Sequence, residues 1–103
     1  MIAPRLARWL LMLGLSLAGA GCGNVLYAVH SSAAEKRLEE ARELGAEEYA
    51  TYEYYMASEH LEKAKSEAAE ADYGDASRLS SDAERYADKA IELSREAHRG
   101  AGR

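Results

Sequence analysis

Two stretches of this chain carry apolar or small residues at alternating spacings of three and four. Ala76, Leu79, Ala83, Tyr86, Ala90, Leu93 and Ala97 form one series; Tyr54, Ala57, Leu61, Ala64, Ala68 and Ala71 form the other. That spacing places each series on a single stripe of an amphipathic helix. For the later helix Asp75 is the expected cap, Arg95, His98 and Arg99 suit its negative end, and Gly100 is the expected stop. Thr51 is the expected start of the earlier one, whose wet face holds Glu59 and Lys63 four apart in the favourable order. Asp72-Tyr73-Gly74-Asp75 reads as a glycine-centred turn between them. Helices of about twenty residues joined by so short a turn run antiparallel. A further helix is expected over roughly residues 25–44, with Ser32 and Glu35 in capping-box spacing as an alternative internal start and Gly45 as a break or kink. The expected fold is all-α, an antiparallel helical hairpin or a three-helix bundle.

The first thirty residues follow a different pattern. MIAPRLAR (1–8) carries Arg5, Arg8 and no acid; WLLMLGLSLAGA (9–20) is almost wholly apolar; residues 19–21 are all small. This order of positive end, short apolar core and small-residue exit is that of a secretory signal peptide. The core is shorter than the roughly 20 apolar residues that span a bilayer as a helix. Cys22 follows the small residues at once, and the segment resembles the bacterial lipoprotein signal. That resemblance implies cleavage before Cys22, lipidation of its thiol and acylation of its new amino group. Gly19 departs from the leucine usual in such signals, although Leu17 lies close by. Gly23, in place of the aspartate that retains lipoproteins in the inner membrane, implies the outer membrane. Several acyl chains on one cysteine anchor almost permanently, each buried methylene contributing about 0.8 kcal/mol. The residues leave two alternatives open, an uncleaved anchor from Trp9 to Val29 and an ordinary cleaved signal with an incidental cysteine.

The expected division is a signal peptide over 1–21, a lipidated N-terminus and spacer over 22–31, a helical domain over 32–99 and a tail over 100–103. The chain has 13 basic and 18 acidic residues; losing Arg5 and Arg8 leaves 11 against 18, a net charge of −7. Such a surface repels nucleic acid and anionic headgroups. Pro4 is the sole proline, there is no phenylalanine, and the sole tryptophan lies in the signal. From Asn24 onward only ten residues are Val, Leu, Ile or Met, supplemented by seven tyrosines. A lone cysteine closes no internal disulfide, so alanine packing, self-association or partner contacts must supply part of the stability.

Catalytic chemistry finds little support in the residues. His30, His60 and His98 lie far apart without metal-ligand spacing, and Glu59-His60 lacks the second histidine of a zinc helix. The expectation is a protein that is not an enzyme and takes no cofactor beyond the lipid on Cys22. Tyr49, Tyr52, Tyr54 and Tyr55 are the one unusual concentration. Tyrosine joins a large apolar body to a hydroxyl, which suits protein interfaces, sugar stacking and the filling of an alanine-built core. The four residues are therefore a candidate partner-binding patch.

The run from Gly45 to Ala97 resembles an uncharacterised family of small bacterial helical lipoproteins. The residues that carry the likeness are Gly45, Ala46, Tyr49 and Ala50, the Tyr- and Glu-rich start that follows, then Leu61, Lys63 and Ala64, and the Asp72-Tyr73 turn. Thr51 departs from the proline common there. The family is often encoded near, or fused to, OmpA-type peptidoglycan-binding domains, which implies an envelope location and an OmpA-like protein as partner. The three-four stripes also leave open a homo-oligomer resembling the major outer-membrane lipoprotein, although the terminal lysine of that protein has no counterpart in Gly100-Ala101-Gly102-Arg103.

Overall fold

The computed structural model describes residues 3–102, with side chains at 3–13 and 24–102. Four helices follow one another among the described residues: α1 (Pro4–Glu43), α2 (Ala46–Tyr49), α3 (Thr51–Ala69) and α4 (Tyr73–Ala101), with no strand. The second half of α1, α3 and α4 form a three-helix bundle, settling the choice between hairpin and bundle. The molecule is elongated, 78 × 23 × 14 Å.

Cross-helix contacts fix the directions. His30 meets Glu84 at 3.0 Å, Arg37 meets Asp88 at 2.7 Å, and Arg95 meets Glu40. Residue numbers rise together along these pairs, so α1 and α4 run parallel. Glu35 pairs with Lys65 at 2.9 Å, and Ala34, Leu61 and Ala83 share one core cluster, so α3 runs antiparallel to both. Exposed pairs of this kind contribute about 0–1 kcal/mol each, so they select register more than they supply stability.

Stability rests on small side chains. Ala34, Ala41, Ala46, Ala57, Ala64, Ala76, Ala83, Ala87 and Ala90 are fully buried, and the largest side chains with no exposure are two serines, Ser80 and Ser94. Leu61, Leu79 and Ile91 supply bulk at the edges of this seam. Alanine at the contact lets helix axes approach closely, so dispersion between backbones replaces the interlocking of long side chains. On α4 the buried residues Ala76, Ser80, Ala83, Ala87, Ala90 and Ser94 alternate by four and three. The expected stripe is thus corrected in part: Tyr86 and Leu93 lie on its flank, while Ser80, Ala87, Ile91 and Ser94 are core. The cause is geometric, because α4 packs against α1 on one side and α3 on the other, so its covered face is wider than one stripe.

One turn follows expectation and the other does not. Gly45 adopts φ +81° and its N–H donates to the carbonyl of Arg42, ending α1 with a left-handed residue. A Cβ there would meet the Tyr49 ring at 3.1 Å. Between α3 and α4 the left-handed residue is Ala71, at φ 61°, not a glycine. Its N–H donates to Ala68 and that of Asp72 to Glu67, the two bonds of a Schellman motif. Gly74 lies inside the first turn of α4, and Asp72 rather than Asp75 caps that helix, its carboxylate accepting from the Asp75 N–H. The helix runs through Gly100 to Ala101. Thr51 is the first residue of α3, and its hydroxyl donates back to the Glu47 carbonyl at 2.8 Å. Ser32 starts nothing, since α1 passes through it unbroken.

Candidate functional site

α1 divides into two parts. Residues 3–13 are exposed throughout, including Leu6, Leu10, Leu11, Leu13 and Trp9, the last 77 % exposed. From Tyr27 onward α1 makes bundle contacts: Tyr27 lies against Tyr73 with ring centroids 6.4 Å apart, and His30 against Glu84. The stretch 24–31, which falls in the expected spacer and overlaps the helix expected from about residue 25, is helical. No helix among the described residues is long and apolar enough to cross a membrane. The expected lipidation at Cys22 falls on a side chain outside those described.

The tyrosines gather at the other end of the bundle, but not on one face. Gly45 turns the chain, α2 makes a single turn, and the start of α3 then carries Tyr52, Tyr54 and Tyr55. Tyr54 packs on the cluster of Ala41, Ala46, Ala50, Ala90 and Ile91 and stacks edge-on with Tyr55. Partial burial, then the Glu47 carboxylate beside it, holds the Tyr54 phenol above the ordinary tyrosine range. Tyr49, Tyr52 and Tyr55 are exposed, Tyr52 by 63 %. Tyr49 meets His98 edge-on at 5.1 Å, and Tyr52 meets Tyr86 at 6.3 Å. Within α3 the helical repeat makes this unavoidable: Tyr52 and Tyr55, three apart, share a side, whereas Tyr54, two and one residues from them, points elsewhere.

Sequence spacing gave no sign of those ring partners. Tyr86 and His98 come from α4, more than thirty residues away along the chain. Each histidine has a structural contact. His98 Nε2 donates to the Leu44 carbonyl at 2.7 Å, closing a free acceptor at the end of α1. His60 lies 2.8 Å from the Met56 carbonyl and against the Tyr86 ring, and His30 pairs with Glu84. Beside Tyr52 and Tyr86 a shallow recess of about 300 Å³ also takes in Glu53, Arg85 and Lys89. Both cations are already engaged, Arg85 with Asp82 and Lys89 with Glu92. At the opposite end Glu67, Asp72 and Asp75 bring carboxylate oxygens within 4.8 Å of one another. Asp72 is the helix cap and Asp75 pairs with Arg78, which accounts for two of the three.

These features define a small alanine-packed three-helix domain with an apolar arm at one end and an aromatic rim at the other. The chain belongs to the family described as Domain of unknown function (DUF4398), which matches residues 31–101. No curated protein and no solved structure matches it. The matched region begins after the apolar arm, so family membership concerns the bundle.

Proposed function

We propose that this chain is a lipid-anchored lipoprotein of the bacterial cell envelope whose helical domain serves as a structural or protein-interaction module. The carrying observation is the arm of α1. It holds bulky apolar side chains that the bundle leaves uncovered, in a chain whose fully buried positions are alanine and serine. A segment of that kind, preceded by Arg5 and Arg8 and followed by small residues and Cys22, has the chemistry of an export signal. Acylated Cys22 then holds the bundle at the outer membrane on its periplasmic side. About 22 residues of α1 separate Cys22 from the aromatic rim, roughly 33 Å at 1.5 Å per residue. Tyr49, Tyr52 and Tyr55 thus face away from the lipid, where a periplasmic domain of an OmpA-like envelope protein would meet them. The domain works by holding and presenting, without chemistry of its own.

The test is the intact mass of the protein recovered from membranes of an expressing bacterium. Cys22 to Arg103 plus a diglyceride and one acyl chain supports the reading. A second reading draws on the unbroken course of α1 from Pro4 to Glu43. In that case the arm stays attached and is itself the anchor, and the mass is that of the unmodified full chain. An unmodified chain starting near Cys22 contradicts both.

A further inference from the structure

The bundle leaves one apolar face open close to Cys22. Val25, Leu26 and Val29 are 61, 52 and 59 % exposed. Val25, Ala28, Val29, Ser32 and Ala33 line the end of a shallow groove of about 680 Å³ along α1 that is nearer Cys22, and Lys36, Arg37 and Glu40 line its other end. The face is turned away from the side on which Ala34, Ala41 and Leu38 meet α3 and α4. It is not a random scatter of apolar residues, because farther along α1 the outward positions become Lys36, Glu39 and Glu43. Within the bundle, the open apolar face of α1 is confined to the end nearest the cysteine.

From these observations we infer that Val25, Leu26 and Val29 form a bilayer-contact surface that lays the α1 flank of the bundle against neutral lipid headgroups. This inference rests on the reading that Cys22 is acylated. Three observations select lipid as the occupant. The helix is continuous through this stretch, so no flexible spacer separates the anchor from the bundle, and the direction of α1 at the membrane is transmitted to the whole domain. Val29 lies seven residues beyond Cys22, about 10 Å along the axis at 1.5 Å per residue. The face therefore lies beside the acyl chains that Cys22 carries in this reading. Tyr27 and Tyr73 pair at the same level, and tyrosine is the residue type favoured where one end is apolar and the other wet. The lipid chemistry follows from the neighbouring charges. Glu70 and Asp72 are exposed at this end, Arg78 is paired with Asp75 and Lys65 with Glu35, and Lys36 lies farther along the groove. Anionic lipid is therefore disfavoured and zwitterionic lipid preferred.

The test uses the lipidated protein reconstituted in phosphatidylcholine vesicles, with and without bromine on the acyl chains. The processed protein has no tryptophan, so Val25→Trp and Val29→Trp each supply a single reporter; both positions are exposed and tolerate the larger ring. Tyr52→Trp reports the far end. Circular dichroism establishes that each variant folds, and intact mass establishes acylation of Cys22. The expected result is blue-shifted emission that brominated chains quench in the Val25 and Val29 variants, no quenching in the Tyr52 variant, and a smaller effect when phosphatidylglycerol replaces part of the lipid. Acylated protein with unquenched, water-exposed emission at both near positions overturns the inference while the anchor reading stands. Blue-shifted emission without quenching assigns the face to a second copy and overturns it as well. A chain without lipid on Cys22 overturns the anchor reading and this inference together.

Discussion

The two halves of α1 make the sharpest contrast in the molecule. One helix, with no break in its hydrogen bonding, carries leucine, methionine and tryptophan in its first part and alanine at the covered positions of its second. In most small domains the bulky apolar side chains are inside and the small ones wherever they fit. Here most bulky ones on α1 are uncovered, and the bundle core is mainly alanine, with Leu61, Leu79 and Ile91 the bulky members. The difference shows that size and hydrophobicity serve separate ends in this chain. The arm's side chains suit a non-aqueous medium outside the protein, whereas alanine in the bundle sets how near three backbones come. A seam of this kind gains little from the transfer of any one residue and depends on the fit of many, since each buried methyl-sized group contributes about 0.8 kcal/mol.

Substitutions that add or remove bulk separate the two halves. The largest effect is expected from Ala83→Leu, which forces three extra carbons into a site with no exposure between helices. It should destabilise the bundle by about 3 kcal/mol, at the upper end for overpacking, read as a drop in the urea midpoint. Next comes Gly45→Ala, which places a Cβ at φ +81° and against Tyr49. The cost should be about 1–2 kcal/mol, seen in the same unfolding experiment. The opposite sign is expected for Ala71→Gly. Ala71 already bears the left-handed strain at φ 61°, and relieving it should stabilise by up to about 1 kcal/mol, raising the melting temperature. Smallest of all is Leu11→Ala in the arm. It removes a larger side chain than any fully buried one, yet should shift bundle stability by less than about 0.5 kcal/mol. A shift as large as that of Gly45→Ala would show that the arm belongs to the fold.

Much of the fold was legible because alanine and leucine at three-four spacing leave few options other than helix, and Gly45 marks the break after α1 plainly. What escaped were features in which several elements meet. The covered face of α4 is wider than a single stripe because two helices share it, so Ser80, Ala87 and Ser94, outside the expected stripe, are core. Serine gave no sign of this, being polar, but it is small, and small size is what the seam requires. The α3–α4 turn misled because Gly74 drew the eye, whereas the backbone put the left-handed residue three positions earlier at Ala71 and used Asp72 as the cap. For the tyrosines, sequence gave the cluster but not its environment. The rings they meet belong to α4, and only the antiparallel pairing of α3 with α4 brings Tyr86 to Tyr52, just as the shared end of α1 and α4 brings His98 to Tyr49. The apolar face at Val25 and Val29 was hidden for another reason. Its residues resume the apolar pattern just after Gly21-Cys22-Gly23-Asn24, and nothing in their types separates a spacer from a helix that belongs to the bundle.

The central claim is that the bundle is complete without the arm that precedes it. Urea unfolding of a chain beginning at Cys22, followed by circular dichroism beside the full chain in the same detergent, tests this most directly. The account predicts one cooperative transition for the shorter chain, with a midpoint matching that of the full chain. A shallow, non-cooperative loss of helix in the shorter chain would contradict it and make the arm part of the domain's own core.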